Sequence, residues 1–189
     1  MNWRIKELDT RSILSFSDAH SGPKLGREAT VFDVPEVSYE HIYQAIKSNS
    51  HIAYTIEFYP EEGKYHWSGH RACGVRWGPA ETTAKGTTCP ACGKSLTQGV
   101  EQRVSELAGR SETSLKLIRD GMMTKSLTFL NRPPFVMLVP LQEIISEAIG
   151  SPVASPKVQG PYMKLTDALG GEFNVLLHSP TDEIAKVVG

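Results

Sequence analysis

Cys89-Pro90-Ala91-Cys92-Gly93-Lys94 sets two thiols two residues apart before a glycine. In such a knuckle both thiolates face one ion, and backbone amides behind them offset the negative charge. Sixteen positions upstream of Cys89, His70-Arg71-Ala72-Cys73-Gly74 repeats the spacing and the glycine, with histidine in the first place. Two knuckles make one tetrahedral site, and His70, Cys73, Cys89 and Cys92 are a donor set for Zn2+. With all four positions engaged none stays open for substrate, so the zinc is read as structural. His66, four residues before His70, is the substitute ligand if the register differs. Asp18-Ala19-His20 is a second candidate: at the end of an apolar strand its carboxylate and imidazole lie on one side and can reach one ion. On spacing alone the weight falls on a capping aspartate beside a hydrogen-bonded histidine. Gly93-Lys94-Ser95 mimics the end of a phosphate-binding loop, but Thr88 stands where that loop needs glycine.

The elements that must carry these residues follow from periodicity. Ser12–Ser17 is a short, mainly apolar run stopped by Asp18 and by Gly22-Pro23, which predicts a buried strand. Ile42, Ala45 and Ile46 share one face after Ser38, predicting a helix over 38–47. Ile52, Tyr54, Ile56 and Phe58 alternate, predicting a strand. Between Pro60 and Gly99 periodicity disappears and all three cysteines fall there. A bare loop of that length needs something other than apolar burial to hold it, and a metal supplies it. Val100, Val104, Leu107 and Ala108 return to helical spacing. A polar segment comes next, then a strand over 135–139 and a helix over 141–149 that stops at Gly150. Ser151–Gly160 reads as a linker, followed by a short helix over 162–169, a strand over 173–177 and a last helix after Ser179-Pro180.

The 189 residues hold 20 Lys+Arg against 21 Asp+Glu, a formal charge of −1, which excludes a uniformly basic coat protein. Hydrophobic residues at 40% and charged residues at 22% are ordinary globular composition. No stretch approaches the roughly 18 apolar residues of a membrane span, and the N-terminus lacks a signal-peptide core. Three cysteines cannot all pair with one another, so a reducing, cytoplasmic setting is expected.

Longer words of the sequence carry a resemblance. Ser17-Asp18-Ala19-His20-Ser21, Lys24-Leu25-Gly26-Arg27-Glu28-Ala29, Thr55 to His66, Gly69 to Val75 and the knuckle at 89–94 closely resemble the C-terminal half of the endonuclease Q family. The likeness continues through Arg103 to Ala108, Arg132-Pro133-Pro134-Phe135 and Pro140 to Ile145. These are DNA-repair enzymes built on a PHP metal-dependent barrel with a zinc module. The resemblance implies an α/β fold in which residues 1–59 finish the PHP barrel. A zinc module over 60–110 and an α+β region over 111–189 would follow. It implies hydrolysis of a phosphodiester 5′ to a deaminated base or abasic site, with Asp18 and His20 as the last barrel ligands for Zn2+, Mg2+ or Mn2+. DNA, as damaged duplex or single strand, is the implied partner, and some related chains carry a helicase domain. Lys24, Arg27, Lys64, Arg71 and Lys94 would contact phosphates, with Tyr65 or Trp67 for base stacking. Glu57 is read as a cross-strand partner of a lysine.

One departure matters. No two of the six histidines stand in the His-x-His spacing of the earlier barrel motifs, so the chain is read as a fragment that lacks its N-terminal PHP half and is inactive alone. The competing readings are a zinc-containing nucleic-acid-binding module without chemistry, and a helicase-associated accessory protein.

Overall fold

The computed structural model describes residues 2–189. They form a mixed α/β structure with seven strands and seven α-helices among the described residues, arranged as two compact units. The first comprises the chain up to Phe16 together with Glu28–Val136, and the second comprises Ser17–Arg27 together with Met137–Gly189.

In the first unit, β1 Ala29–Phe32, α1 Tyr39–Ser48 and β2 Ile52–Glu57 follow in order, then β3 Ser68–His70, β4 Val75–Trp77, α2 Pro79–Lys85 and α3 Val100–Leu107. The hairpin β5 Leu117–Asp120 and β6 Met123–Ser126 precedes β7 Phe135–Met137. The main sheet has the order β1-β2-β7-β6-β5, with β1 and β2 antiparallel (Ala29 opposite Ile56) and β5–β6 and β6–β7 antiparallel as well. Ser38 starts α1 by accepting the His41 N–H at 3.3 Å, and Asn49, in the left-handed region, ends it. Gly121, at φ 61°, opens the two-residue turn between β5 and β6. Buried Ile56, Val136 and Trp3 line the core, with Trp3 edge-on to Phe135 at 5.6 Å.

The expected strand over Ser12–Ser17 is absent. The backbone of Ser15 is satisfied by one side chain instead: its N–H donates to Thr30 Oγ1 at 2.8 Å and its carbonyl accepts from the same hydroxyl at 3.0 Å. β1, which the sequence reading passed over, holds the sheet edge in its place.

A partly buried ion cluster ties the start of this unit to its end. Arg110 grips Asp9 through both guanidinium nitrogens, one at 2.8 Å, and the buried Arg132 reaches the same carboxylate at 3.0 Å. Hydrogen bonding from Arg110, then from Arg132, holds the Asp9 carboxyl below its ordinary value, against partial burial that acts upward. A depressed folded-state pKa means stability that is fully present above the unfolded carboxylate pKa of about 4 and is lost as pH falls through the folded value. Asp9→Asn is therefore expected to lower the melting temperature at neutral pH. The difference from the parent should shrink below about pH 4, which thermal melts between pH 7 and pH 3 would read.

In the second unit, α4 Leu141–Ile149, α5 Pro156–Leu169, α6 Glu172–Leu177 and α7 Thr181–Val188 pack around Leu141, Ile145, Val158, Leu165 and Val175. Two expectations change here. Of the supposed linker over 151–160, residues 151–155 stay non-helical, while 156–160 are the first turn of α5, drawn into the helix because Val158 is fully buried, and Pro161 is accommodated inside it. The supposed strand over 173–177 is α6, whose Val175 enters the same core. No helix among the described residues is long and apolar enough to cross a membrane.

Candidate metal centre and companion sites

The metal cluster is assembled by two hairpins. β3 and β4 pair antiparallel with His70 opposite Val75, and the tight turn between them carries Cys73 and ends on Gly74 at φ 66°. The second knuckle closes where the Gly93 N–H donates to the Cys89 carbonyl at 2.9 Å and the Cys89 N–H to the Lys94 carbonyl at 2.8 Å, with Gly93 at φ 72°. Paired bonds between Gly69 and Thr97, at 2.9 and 2.8 Å, lock one hairpin onto the other. Only glycine fits at 69, since a Cβ there would lie 2.2 Å from the Val75 carbonyl oxygen.

One ligand atom from each of His70, Cys73, Cys89 and Cys92 lies within 4.8 Å of the others, and Cys92 Sγ is 3.2 Å from His70 Nδ1. A tetrahedral zinc with Zn–S near 2.3 Å has edges of about 3.8 Å, so a small contraction closes the shell. The cluster can hold one metal ion, and its donor set is consistent with zinc. The electrostatics agree. Burial pushes the Cys89 thiol up, but N–H groups of Ala91 and Cys92, His70 and the Cys92 thiol bring it down to about 6. Cys73 is pushed up to about 11, first by its hydrogen bond to Cys92 and then by burial. Three thiolates this close ionise together only around a cation.

His66 is not part of this set. It is buried, its Nε2 lies 3.4 Å from Glu101 Oε2, and its ring meets Trp67 edge-on at 4.6 Å. Trp67 carries the Arg76 guanidinium over its ring at 4.9 Å, whereas Tyr65 is exposed. Lys64, Arg71 and Lys94 are exposed on the zinc lobe. Arg76 and Lys85, the latter over Trp77 at 5.2 Å, belong with them and were not singled out from the sequence. Their signal was the alternation of basic residues with tryptophan. Glu57 accepts from Ser15 Oγ at 3.0 Å and has no lysine partner in that bond.

Asp18 and His20 lie in the second unit, both exposed. Asp18 sits in the left-handed region at φ 46°, an uncommon conformation for a residue with a Cβ. His20 Nδ1 is 2.8 Å from the Asp18 carbonyl oxygen. A carbonyl only accepts, so Nδ1 is the donor in this contact, which leaves Nε2 as the ring nitrogen a metal would use. Lys24 and Arg27 share one partner, Glu143 Oε1, at 3.3 and 3.4 Å.

Over 97% of its length this chain is similar in structure to part of a lesion-specific endonuclease. It is similar to endonuclease Q: the enzyme from Pyrococcus furiosus matches with a TM-score of 0.79 and 32% identity over 43% of that chain. An endonuclease Q bound to a 27-mer duplex with an abasic lesion matches with 0.77 and 31% over 44%. Residues 140–188 match the family described as the MJ0043 C-terminal domain. An uncharacterized protein of Methanocaldococcus jannaschii, MJ0043, is 34% identical across 97% of this chain and 22% of its own length. The uncharacterized protein YqxK of Bacillus subtilis is 29% identical across 97% and 41%. The chain thus spans less than half the length of the proteins it matches, consistent with a C-terminal portion.

Proposed function

We propose that this chain is the zinc-bearing C-terminal portion of a DNA-repair endonuclease that hydrolyses the phosphodiester 5′ to a deaminated base or an abasic site. The observation that carries the reading is the similarity to endonuclease Q across nearly the whole chain, together with a metal cluster of the donor set the knuckle spacing predicts. Divalent ions at the PHP centre would activate water and offset developing charge. Asp18 and His20 are this chain's contribution to that centre, His20 oriented by the Asp18 carbonyl. β1 and β2 pair antiparallel, unlike the parallel ring of a β/α barrel, so what supports a barrel contribution from residues 1–59 is the Asp18–His20 segment and not these strands. The remaining ligands come from outside this sequence, and the chain alone does not cut.

The zinc lobe has a role beyond holding its own fold. Between residues 63 and 99 stand Lys64, Arg71, Arg76, Lys85 and Lys94 against the single acid Glu81, a local excess of cations in a chain of net charge −1. That asymmetry suits phosphate contacts. It also favours a second reading, a nucleic-acid-binding zinc module without chemistry. The three free cysteines suit a reducing, cytoplasmic compartment.

Metal content of the purified chain, with a nicking assay on uracil-containing and abasic duplexes, tests the proposal. About one tightly held zinc, DNA binding and no nicking are expected. Cleavage by this chain alone would overturn the need for further ligands, and absence of DNA binding would overturn both readings.

A further inference from the structure

Between residues 60 and 99 Cys89, 1% exposed, is the only hydrophobic side chain that is buried, and the buried polar side chains of that stretch are His66, Ser68 and Thr82. The lobe therefore has no apolar core, and the metal cluster takes the place of one. Its fold depends on the chemical state of three sulfurs, and these differ in access. Cys89 is buried, Cys73 is partly covered and Cys92 is exposed. A thiol that solvent reaches is the one an oxidant reaches first.

The exposed sulfur has a second sulfur beside it on the same knuckle. Cys89 and Cys92 stand two residues apart, the knuckle is closed by the Gly93 N–H on the Cys89 carbonyl at 2.9 Å, and both sulfurs belong to the set that lies within 4.8 Å. Cys73 lies on the other hairpin, sixteen positions before Cys89. Joining Cys89 to Cys92 closes a shorter loop than joining either to Cys73, so it costs less chain entropy once the hairpins part. The donor set holds three sulfurs and one imidazole, so one disulfide leaves Cys73 over as a free thiol.

We infer that the cluster is a peroxide-responsive switch in which Cys92 is the attacking thiolate and Cys89 the resolving one. The inference rests on the zinc reading above and goes beyond it. The Cys92 sulfur attacks one oxygen of hydrogen peroxide, the O–O bond breaks and hydroxide leaves, so the sulfur becomes a sulfenic acid. The Cys89 thiolate then attacks that sulfur, an S–S bond forms, the S–O bond breaks and a second hydroxide leaves. Two thiolates lose two electrons to the peroxide, and two protons from solvent turn both hydroxides into water. With Cys89 and Cys92 bonded to each other only His70 and Cys73 remain as ligands, and the ion is lost. The disulfide lies inside one hairpin and does not tie it to the other, so the lobe opens. The lobe and the cations it carries are thus folded only while the thiols are reduced.

The whole 189-residue chain, loaded with zinc, is treated with hydrogen peroxide in the presence of a chromogenic chelator, then alkylated and digested with trypsin. One zinc per chain is expected to be released, with reactive thiols falling from three to one. The peptide of residues 86–94, which carries both Cys89 and Cys92, should be lighter by two hydrogens and unalkylated, and the peptide of residues 72–76 should carry the alkyl group on Cys73. Dithiothreitol and zinc should restore the starting state. Two ligand exchanges separate the sulfurs, since two thiolates with two imidazoles are also a zinc donor set. Zinc bound by Cys92→His should survive peroxide, and zinc bound by Cys73→His should be released as in the parent. Zinc retained by the parent in peroxide, a disulfide joining peptide 72–76 to peptide 86–94, or oxidation that dithiothreitol does not reverse overturns the switch and leaves the structural zinc standing. A chain that holds no zinc before peroxide is added overturns the zinc reading and the switch with it.

Discussion

Asp18→Ala and His20→Ala, made in a longer chain that supplies the other barrel ligands, are each expected to reduce cleavage of an abasic duplex by about 10³-fold. Metal ions offset several kcal/mol of transition-state charge in such a centre, and about 4 kcal/mol corresponds to that factor in rate. Zinc at the knuckles should be unaffected, because those four ligands belong to the first unit and Asp18 and His20 to the second. Asp18→Asn is the informative companion. Asparagine adopts the left-handed conformation as readily as aspartate, so it keeps the backbone at φ 46° and removes only the charge. Asp18→Asn should therefore follow the alanine variant if the carboxylate binds metal. Single-turnover cleavage with metal titration would read all three, and full activity in Asp18→Ala would remove the residue from the centre.

Cys89→Ser should take the zinc content of the chain from about one to near zero and open the lobe between residues 63 and 99 to proteolysis. Cys89 is the only buried cysteine of the three, so its loss removes the ligand best shielded from water. Structural zinc in small peptides is worth about 10–16 kcal/mol at pH 7, far more than the few buried side chains of this lobe supply. Acid should act in the same direction. Zinc displaces protons from the thiols, so affinity falls as pH falls, and Cys73, pushed up to about 11, is the thiol that competes for a proton most strongly, whereas Cys89 at about 6 gives its proton up more easily. Zinc release measured against a chromogenic chelator should become easier from pH 8 to pH 5, and release independent of pH would contradict thiolate ligation.

The metal set was legible because its constraint is local: two ligands two residues apart followed by a glycine needs no long-range knowledge. α1 and α4 were legible for a similar reason, since Ser38, Asn49 and Gly150 mark their ends chemically. Where tertiary burial decides, local signals misled. Ser151–Gly160 is rich in proline, serine and glycine and reads as a linker, yet Val158 within it is the most buried residue of the helical core. Phe173 to Leu177 is too short for its periodicity to separate strand from helix. The hairpin at 117–126 carried only Asp120-Gly121 as a signal, among charged residues that resemble a loop. Ser12–Ser17 is apolar enough for a strand, but the Thr30 side chain satisfies the Ser15 backbone and no ladder forms. Tyr162 and Glu172 stand on separate helices, and the hydrogen bond between them is invisible until the helices pack.

The second unit is discontinuous, built from Ser17–Arg27 and from a stretch that begins at Met137. During synthesis the segment bearing Asp18 and His20 therefore emerges more than a hundred residues before the helices that complete its unit. At roughly 5–20 residues per second it waits on the order of ten seconds without a partner. The order of assembly is thus inverted relative to the order of the genetic message: a residue near the start becomes organised only when the end arrives. A stop codon after Val136 would spare the coding of both candidate ligands and still leave them on an unanchored loop.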